Sequence, residues 1–344
     1  MAITAILYLP ILTLLTKLTG LRVHSTPLVR YLTITAFLLG LLVVVLGAYT
    51  RLVDAGLGCP DWPGCYGFLT VPQSEADITT ANQRFPEMPL EADKAWPEMV
   101  HRYAATLLGV TILVVLGVAA FKRMPLAFPI ALTVLVIAQG IFGAWTVTLK
   151  LWPQVVTAHL LGGFATVALL WLYLIKQRVI PRVVLPNVAY PAGILVGCVL
   201  VVQITLGGWT SSNYAALACP DFPLCHGQVI PDMDWIKGFN LFQDIGPNYL
   251  GGELSNDARI AIQFTHRLVA FVLAGATIWL ITLLKRQIQW ILGAVLVVQF
   301  ALGISNVWFN LPLAVATLHN FVALVYLLVI VYILCFTRTR SSVG

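Results

Sequence analysis

Four histidines stand inside long apolar stretches of this chain, at His101, His159, His266 and His319. An arginine directly follows the first and the third of them, as Arg102 and Arg267. A carboxylate, Glu98, comes three residues before the first histidine, and an amide, Gln263, comes three residues before the third. Imidazoles ligate metals and transfer protons, carboxylates act as acids or bases, and guanidinium groups bind anionic oxygens. Because ionisable residues inside a membrane segment are functional by default, these residues form the candidate site.

The composition indicates that membrane helices must position this site. Hydrophobic residues make up 59% of the 344 residues and charged residues 10%, with a mean hydropathy of +0.90. A soluble domain carries about 25% charged residues, so the chain is predicted to be an integral membrane protein. The formal net charge of +6 would suit a nucleic-acid partner, but the positions of the basic residues give it a different explanation.

Eight apolar runs are long enough to cross a bilayer as helices of about 20 residues. They are residues 31–50, 98–121, 126–147, 155–175, 188–210, 260–284, 290–308 and 313–336. Lysines and arginines concentrate before the first run, in every second connection and at the C-terminus, whereas the long connections 52–97 and 211–259 are mixed or acidic. The positive-inside rule then places both termini in the cytoplasm and the long loops outside. The basic excess is therefore a topology signal, and no nucleic-acid partner is predicted.

Residues 1–30 are expected to form a cytoplasmic or interfacial segment before the first span. Residues 1–15 are apolar, but they lack the basic region and the small-residue cleavage site of a signal peptide. A ninth span is the alternative for this segment. No amphipathic transit peptide rich in arginine and serine precedes the spans, which favours a bacterial inner (plasma) membrane over an organelle.

The chain contains an internal repeat with an offset of 160 residues. The repeated segments are LGAYT at 46–50 with CPDWPGC at 59–65, and LGGWT at 206–210 with CPDFPLC at 219–225. We expect two four-helix halves, 31–177 and 188–338, with a cytoplasmic linker at 178–187 and a tail at 339–344. Each half has an even number of helices, so both insert the same way up and a rough twofold axis along the membrane normal relates them. The predicted fold class is an all-α membrane protein of eight transmembrane helices in two pseudo-twofold-related four-helix bundles.

Glycines recur near the outer ends of the odd-numbered helices, at Gly47, Gly143, Gly207 and Gly303. Glycine lets two helix backbones approach closely, so ordinary helix packing is the preferred interpretation of these four residues. By themselves they indicate no chemistry.

All four histidines are predicted to lie at a similar level in the outer half of the membrane. They fall on the helices that start at the outer face, roughly 5–12 Å below the helix starts at about 1.5 Å per residue. Within each half the two imidazoles can face each other across the bundle and hold the iron of a flat macrocycle such as haem. A structural zinc site would need four converging ligands, and each half offers two histidines. The alternative, hydrogen-bonded packing histidines, is disfavoured by four equivalent positions.

Glu98 distinguishes the two halves, because its repeat partner Gln263 cannot take a proton. It projects on the same helix face as His101, one turn earlier. We expect the half with this carboxylate to carry out chemistry, with Glu98 as acid or base, and the other half to hold a resident cofactor. The structural alternative is a carboxylate that the helix macrodipole favours at a helix start.

Arg102 and Arg267 are expected to point along the outer rim of their helices. An arginine fork suits a carboxylate, so contacts with haem propionates are one interpretation. The other is snorkelling of both side chains to the outer membrane interface.

Two cysteine pairs lie in the outside loops, Cys59 with Cys65 and Cys219 with Cys225. The outside is oxidising, which favours disulfides. Four cysteines allow three pairings, and local pairing is predicted because each pair lies in its own loop. A redox-active role and simple stapling of the loops are both compatible with this pattern.

In these motifs the chain resembles the haem A synthase family. The resemblance rests on GCPDWPGC at 58–65, on EMVHR at 98–102, on His159, and on the repeated His266-Arg267 and His319. It covers residues 30–338, nearly the whole chain. It implies an eight-helix protein that oxidises the C8 methyl group of haem O to a formyl group, giving haem A for haem–copper terminal oxidases. The implied enzyme is thus an oxidoreductase acting on a CH or CH3 group.

The resemblance also implies residue roles. Haem b would be held in the C-terminal half by His266 and His319, and substrate haem O would bind in the N-terminal half. Its implied ligands there are His101 and His159. Glu98 matches the essential glutamate of the family.

Further expectations concern partners and competing functions. Cys59 and Cys65 match a cysteine pair that only some branches of the family contain. The expected partners are haem O, the lipid bilayer, an electron donor that the sequence does not identify, a haem O synthase and further copies of this chain. A dihaem b-type electron-transfer protein is the alternative function, but it would need haems staggered at both membrane faces. A haem transporter would need a polar path through the midplane, which the apolar inner halves of the helices lack.

Overall fold

The computed structural model describes residues 25–181, 183 and 185–336. Its eight long helices are α1 Pro27–Leu52, α2 Ala92–Phe121, α3 Ala127–Thr148, α4 Pro153–Lys176, α5 Ala189–Ser212, α6 Asn256–Thr282, α7 Arg286–Trp308 and α8 Leu313–Phe336. Two short helices, Glu75–Arg84 and Trp235–Gly238, lie in the long connections. All eight long helices are apolar enough to cross a membrane, and the described residues form no strand. The prediction of an all-α membrane protein with eight spans is confirmed.

Two of the helices that carry the site, α2 and α6, start a full turn or more earlier than the apolar runs predicted. Helix α2 begins at Ala92 rather than at residue 98, and α6 begins at Asn256 rather than at residue 260. The first residues of both helices are polar, so hydropathy places these helix starts too late. Helix α2 continues through Pro97, whose carbonyl accepts a hydrogen bond from Thr50 Oγ1 at 3.2 Å. The extra turns support the outer loops that cover the site.

The two halves pack their helices in the same pattern. In the N-terminal half α1 and α3 each contact both α2 and α4, and in the C-terminal half α5 and α7 each contact both α6 and α8. Between the halves, α4 packs on α5, α8 packs on α1, and α4 packs on α8. Exchanging the two halves leaves this set of neighbours unchanged, which is consistent with the predicted twofold relation.

Residues at repeat-equivalent positions meet where α1 and α5 end. Arg51 corresponds to Ser211, and its Nη2 donates to the Ser211 carbonyl at 2.6 Å. Asp54 corresponds to Tyr214, whose hydroxyl donates to Asp54 Oδ1 at 2.7 Å. The guanidinium of Arg51 lies 4.2 Å from the ring centre of Tyr214. Such contacts between equivalent positions are expected beside a twofold axis, and they join the outer ends of the two halves.

The two largest clusters of buried apolar residues lie among the long helices. One buried cluster joins α4 to α8 around Val196, Leu280 and Ile330. A second joins α1 to α4 around Ile112 and Leu170. These two clusters are built almost entirely from apolar side chains of the long helices.

Disulfides join Cys59 to Cys65 and Cys219 to Cys225, each within its own loop, as local pairing predicted. Residues 1–24 and 337–344 lie outside the described residues. The predictions for most of the N-terminal segment, for a ninth span and for the C-terminal tail fall on those residues.

Candidate functional site

The four predicted histidines lie on α2, α4, α6 and α8, the helices that begin beside the outer loops or the short outer turns. In chain order they come nine, six, ten and six residues after the first residue of their helix. This corresponds to about 9–15 Å along the helix axes. Measured from the first residues of their helices, the offsets of His101, His159 and His266 are larger than predicted because α2, α4 and α6 start earlier than predicted. The same two depths recur in both halves, as the repeat requires.

The histidine pair of the N-terminal half has the spacing that an iron atom needs. The ring centres of His101 and His159 lie 6.5 Å apart, with their planes at 88°. Metal–imidazole bonds are about 2.0–2.1 Å long and the nitrogen lies about 1.1 Å from the ring centre, so an iron between two imidazoles separates the centres by about 6.3 Å. The described residues contain no cluster of three or more His, Cys, Asp and Glu side chains suited to a metal ion. The distance between the two ring centres thus suits one iron held by both imidazoles, and His101 and His159 are the residues of this half that would hold it.

In the C-terminal half each histidine has a glutamine amide beside its ring. Gln203 Nε2 lies 3.2 Å from Nδ1 of His266 and donates to the His266 backbone carbonyl at 3.1 Å. Gln299 Nε2 lies 3.3 Å from Nε2 of His319. Such neighbours orient an imidazole ligand and set which nitrogen carries the proton. At the repeat-equivalent position of Gln203 the first half has Val43. This polar residue in only one of two equivalent spans could have indicated the contact with His266, and sequence analysis missed it.

The four glycines assigned to helix packing lie against the four histidines. The distance from a Cβ built on the glycine to Cε1 of the histidine is 2.9 Å for Gly47 and His101, 3.2 Å for Gly303 and His319, and 3.4 Å for both Gly143 with His159 and Gly207 with His266. The interpretation as ordinary helix packing was incomplete. In each pair of helices, the glycine leaves room for the imidazole of the neighbouring helix.

Glu98 is buried, with 4% of its surface exposed. Its Oε2 accepts a hydrogen bond from the backbone N–H of Cys59 at 2.9 Å, and its Oε1 accepts one from Nη2 of Arg102. The carboxylate is therefore held between α2 and the first cysteine loop, one turn from His101. The structural alternative was a carboxylate that the helix macrodipole favours at a helix start. A carboxylate that only faces solvent at a helix start would not be buried as Glu98 is.

The two arginines are bound to the cysteine loops. Arg102 Nη1 lies within hydrogen-bonding distance of the carbonyl oxygens of Asp61 and Gly64, at 3.0 and 2.5 Å. Arg267 Nη1 donates to the carbonyl of Asp221 at 2.7 Å. Sequence analysis considered two roles for these arginines, contact with haem propionates and snorkelling to the membrane interface. It did not predict their contacts with the cysteine loops.

An aspartate organises each cysteine loop, a role that sequence analysis did not assign. Asp221 accepts hydrogen bonds from the backbone N–H groups of His226 and Gly227, at 2.7 and 2.8 Å. These bonds, that from Gly227 above all, lower the pKa of the Asp221 carboxyl. Asp61 makes the equivalent bonds to Tyr66 and its neighbour at 2.6 and 2.7 Å. Burial, helped by nearby carboxylates, raises the pKa of Tyr66 to about 12.

The long loop of the C-terminal half also covers the turn between α3 and α4. The backbone N–H of Tyr249 donates to the Lys150 carbonyl at 3.0 Å, and Trp152 Nε1 donates to the Gln243 carbonyl at 3.1 Å. Tyr249 is buried there beside Leu57. Loops from both halves thus cover the end of the N-terminal half at which the turn between α3 and α4 lies.

The chain is similar to known proteins over most of its length. A family model described as cytochrome oxidase assembly protein matches residues 30–331. The haem A synthase of Shewanella oneidensis is 41% identical over 314 residues, which cover 88% of this chain and 94% of that relative. The chain belongs to the haem A synthase family. Other similar members are the haem A synthases of Neorickettsia sennetsu, 27% identical over 89% of this chain and 97% of the relative, and of Beijerinckia indica, 29% identical over 83% and 86%.

The part of the chain that matches the haem A synthase family contains the whole candidate site. The match spans all four histidines, Glu98 and both disulfide loops. The family resemblance predicted from the sequence motifs is confirmed.

Proposed function

We propose that this protein is a haem A synthase, an oxidoreductase that converts the C8 methyl group of haem O to the formyl group of haem A. The conversion is a four-electron oxidation of the methyl carbon, which balances with O2 as the oxidant (R–CH3 + O2 → R–CHO + H2O); the formyl oxygen comes from O2 or from water. Family membership supports the reaction. The single observation that carries it in this chain is the buried carboxylate of Glu98 beside one of the two histidine pairs.

The N-terminal half is the proposed site of haem O oxidation. His101 and His159 have the ring spacing that suits an iron between them. A Cβ built on Gly163, one turn after His159 on α4, would meet no atom within 4 Å. This open position leaves space for a flat porphyrin beside its ligand. In this proposal the two histidines bind the substrate through its iron.

Glu98 is the proposed acid–base group. Oxidation of a methyl to a formyl group releases protons, and a buried carboxylate next to the ligand can accept them or stabilise positive charge at the carbon. Two hydrogen-bond donors hold Glu98, from Cys59 and Arg102, so its position is set before substrate arrives. Preorganised charge of this kind is worth more in a water-poor site than in water.

The C-terminal half is proposed to hold haem b as a resident cofactor on His266 and His319. Haem b, when bound, supplies one-electron redox chemistry to this half. Gln203 would orient the His266 ring, and Gln263 stands where the other half has its carboxylate. This half therefore has ligands for iron but lacks the acid–base group.

The proposed setting is the bacterial inner membrane, with both termini in the cytoplasm and the disulfide loops outside. The disulfides support this orientation because the outer side is the oxidising one. The oxidase that uses haem A, an electron donor, a haem O synthase and further copies of the chain are the proposed partners.

The test is pigment extraction with mass analysis from a host that makes haem O but no haem A. Expression of this chain should convert haem O to haem A. The Glu98→Gln variant should keep its Soret absorbance but leave haem O unconverted, whereas the matched Gln263→Asn change in the other half should still give haem A. Conversion by Glu98→Gln at the wild-type rate would assign Glu98 to structure. Redox-active haem without any change of pigment mass would indicate an electron carrier instead.

A further inference from the structure

We propose that Arg102 is a positioning residue for Glu98, which it ties to the first cysteine loop, and not a ligand of haem propionates. The inference rests on the proposed function, because it needs Glu98 as the acid–base group. It concerns how the carboxylate is kept in place.

Arg102 bridges the loop and the carboxylate. Its Nη1 lies 3.0, 3.3 and 2.5 Å from the carbonyl oxygens of Asp61, Pro63 and Gly64. Its Nη2 donates to Oε1 of Glu98. Only 12% of the Arg102 side chain and 6% of the Glu98 side chain are exposed. Each terminal nitrogen of the guanidinium therefore already makes a contact, Nη1 with the loop and Nη2 with the carboxylate.

The same loop provides the second contact to Glu98. The N–H of Cys59 donates to Oε2 at 2.9 Å, so both carboxylate oxygens are held by groups that belong to or bind this loop. Gly58 packs so closely on the backbone of Lys94 and Ala95 that no Cβ fits there. The disulfide between Cys59 and Cys65 closes the loop around these contacts. The loop, Arg102 and Glu98 consequently form one rigid unit at the start of α2.

Comparison with Arg267 in the C-terminal half shows which contacts of Arg102 occur in the N-terminal half alone. Arg267 Nη1 donates to the carbonyls of Asp221 and Leu224 at 2.7 and 2.9 Å, the positions equivalent to Asp61 and Gly64. Its Nη2 donates to the Cys219 carbonyl at 2.7 Å instead of to a side chain. Gln263 Oε1 is buried without a hydrogen-bond partner among the described residues. Holding the loop is common to both arginines, and holding a carboxylate belongs to Arg102.

A lysine cannot replace this arginine. The guanidinium presents several donors in a planar fork, whereas an ammonium is a single point charge. Arg102→Lys keeps the charge but loses either the loop or the carboxylate contact. A displacement of about 1 Å in a catalytic group costs about 10²-fold in rate, so we expect haem A formation to slow by about 10- to 100-fold.

The experiment measures haem A formation in membranes at increasing haem O, together with the infrared carboxylate band of Glu98. That band is identified as the one lost in Glu98→Gln. Arg102→Lys should lower kcat while KM for haem O stays within about threefold, and it should shift the band. Arg267→Lys loosens the twin loop in the same way and should leave the band unshifted. A raised KM with an unchanged band in Arg102→Lys would overturn the proposal and favour propionate binding.

The outcomes separate this inference from the proposed function. If Glu98→Gln stops conversion but Arg102→Lys neither shifts the band nor lowers kcat, only the positioning role of Arg102 fails. If Glu98→Gln converts haem O normally, Glu98 is not the acid–base group, and the positioning role of Arg102 is refuted as well. Gel mobility after thiol alkylation verifies that Cys59 and Cys65 stay joined in the variants, so that a lost disulfide is not mistaken for a displaced carboxylate.

Discussion

Replacing Gly47 with alanine should block haem O oxidation while leaving the resident haem in place. A Cβ on Gly47 would lie 2.9 Å from Cε1 of His101. Carbon atoms pack at about 3.5–4.0 Å, so the ring or the helix has to move by about 0.6–1.1 Å. The upper value is about half a metal–imidazole bond, which is about 2.0–2.1 Å long. His101 can then no longer hold its place opposite His159.

The expected magnitude follows from that displacement. A misplacement of about 1 Å costs about 10²-fold in rate, and overpacking of this kind costs about 1–3 kcal/mol of stability. We therefore expect haem A formation to fall by about 10²-fold with the protein still folded. The haem b of the other half should remain, because Gly47 does not touch His266 or His319.

The assay is the ratio of haem A to haem O in extracted pigment, with the Soret absorbance of the purified protein as the measure of retained haem. Gly117→Ala is the matched control on α2, since a Cβ there meets no atom within 4 Å. Gly143→Ala, with a contact of 3.4 Å to His159, should have a smaller effect. Gly303→Ala, at 3.2 Å from His319, should reduce retained haem b instead. If Gly47→Ala and Gly117→Ala gave equal conversion, the glycine would not be making room for the imidazole.

Two further predictions concern the resident haem and the second cysteine loop. His266→Ala should lose haem b, whereas His101→Ala should retain it. The measurement is the haem content of the purified protein. Full haem b content after removal of both His266 and His319 would reverse the assignment of the halves. Asp221 has a lowered pKa in the folded protein, so the unfolded state binds more protons and the carboxylate stabilises the loop at pH values above its ordinary pKa. That stabilisation is lost as the pH falls through the lowered pKa. Reduction of Cys219–Cys225 by a phosphine should therefore become faster on acidification, and Asp221→Asn should remove this pH dependence; equal pH dependence in both proteins would show that another group is responsible.

The spans could be predicted because their signal is local. An apolar run of about 20 residues must form a helix in a bilayer, since no water is available to its backbone groups. The predicted end of α8 agrees with the structure, and most other ends differ by a few residues. The starts of α2 and α6 were predicted too late because the first turns of these helices are polar.

The amino-acid sequence by itself determined the repeat, the four histidines and the lone carboxylate, because these depend on residue identity at a fixed offset. Tertiary structure alone decided what each of these groups touches. Glu98 meets Cys59, which is 39 residues away in the chain, and Arg51 meets Ser211, which is 160 residues away. Pattern and hydropathy describe neighbours along a helix. Which carbonyl binds an arginine and which glycine faces an imidazole depend on how helices from distant parts of the chain pack, so these contacts appear only in the folded protein.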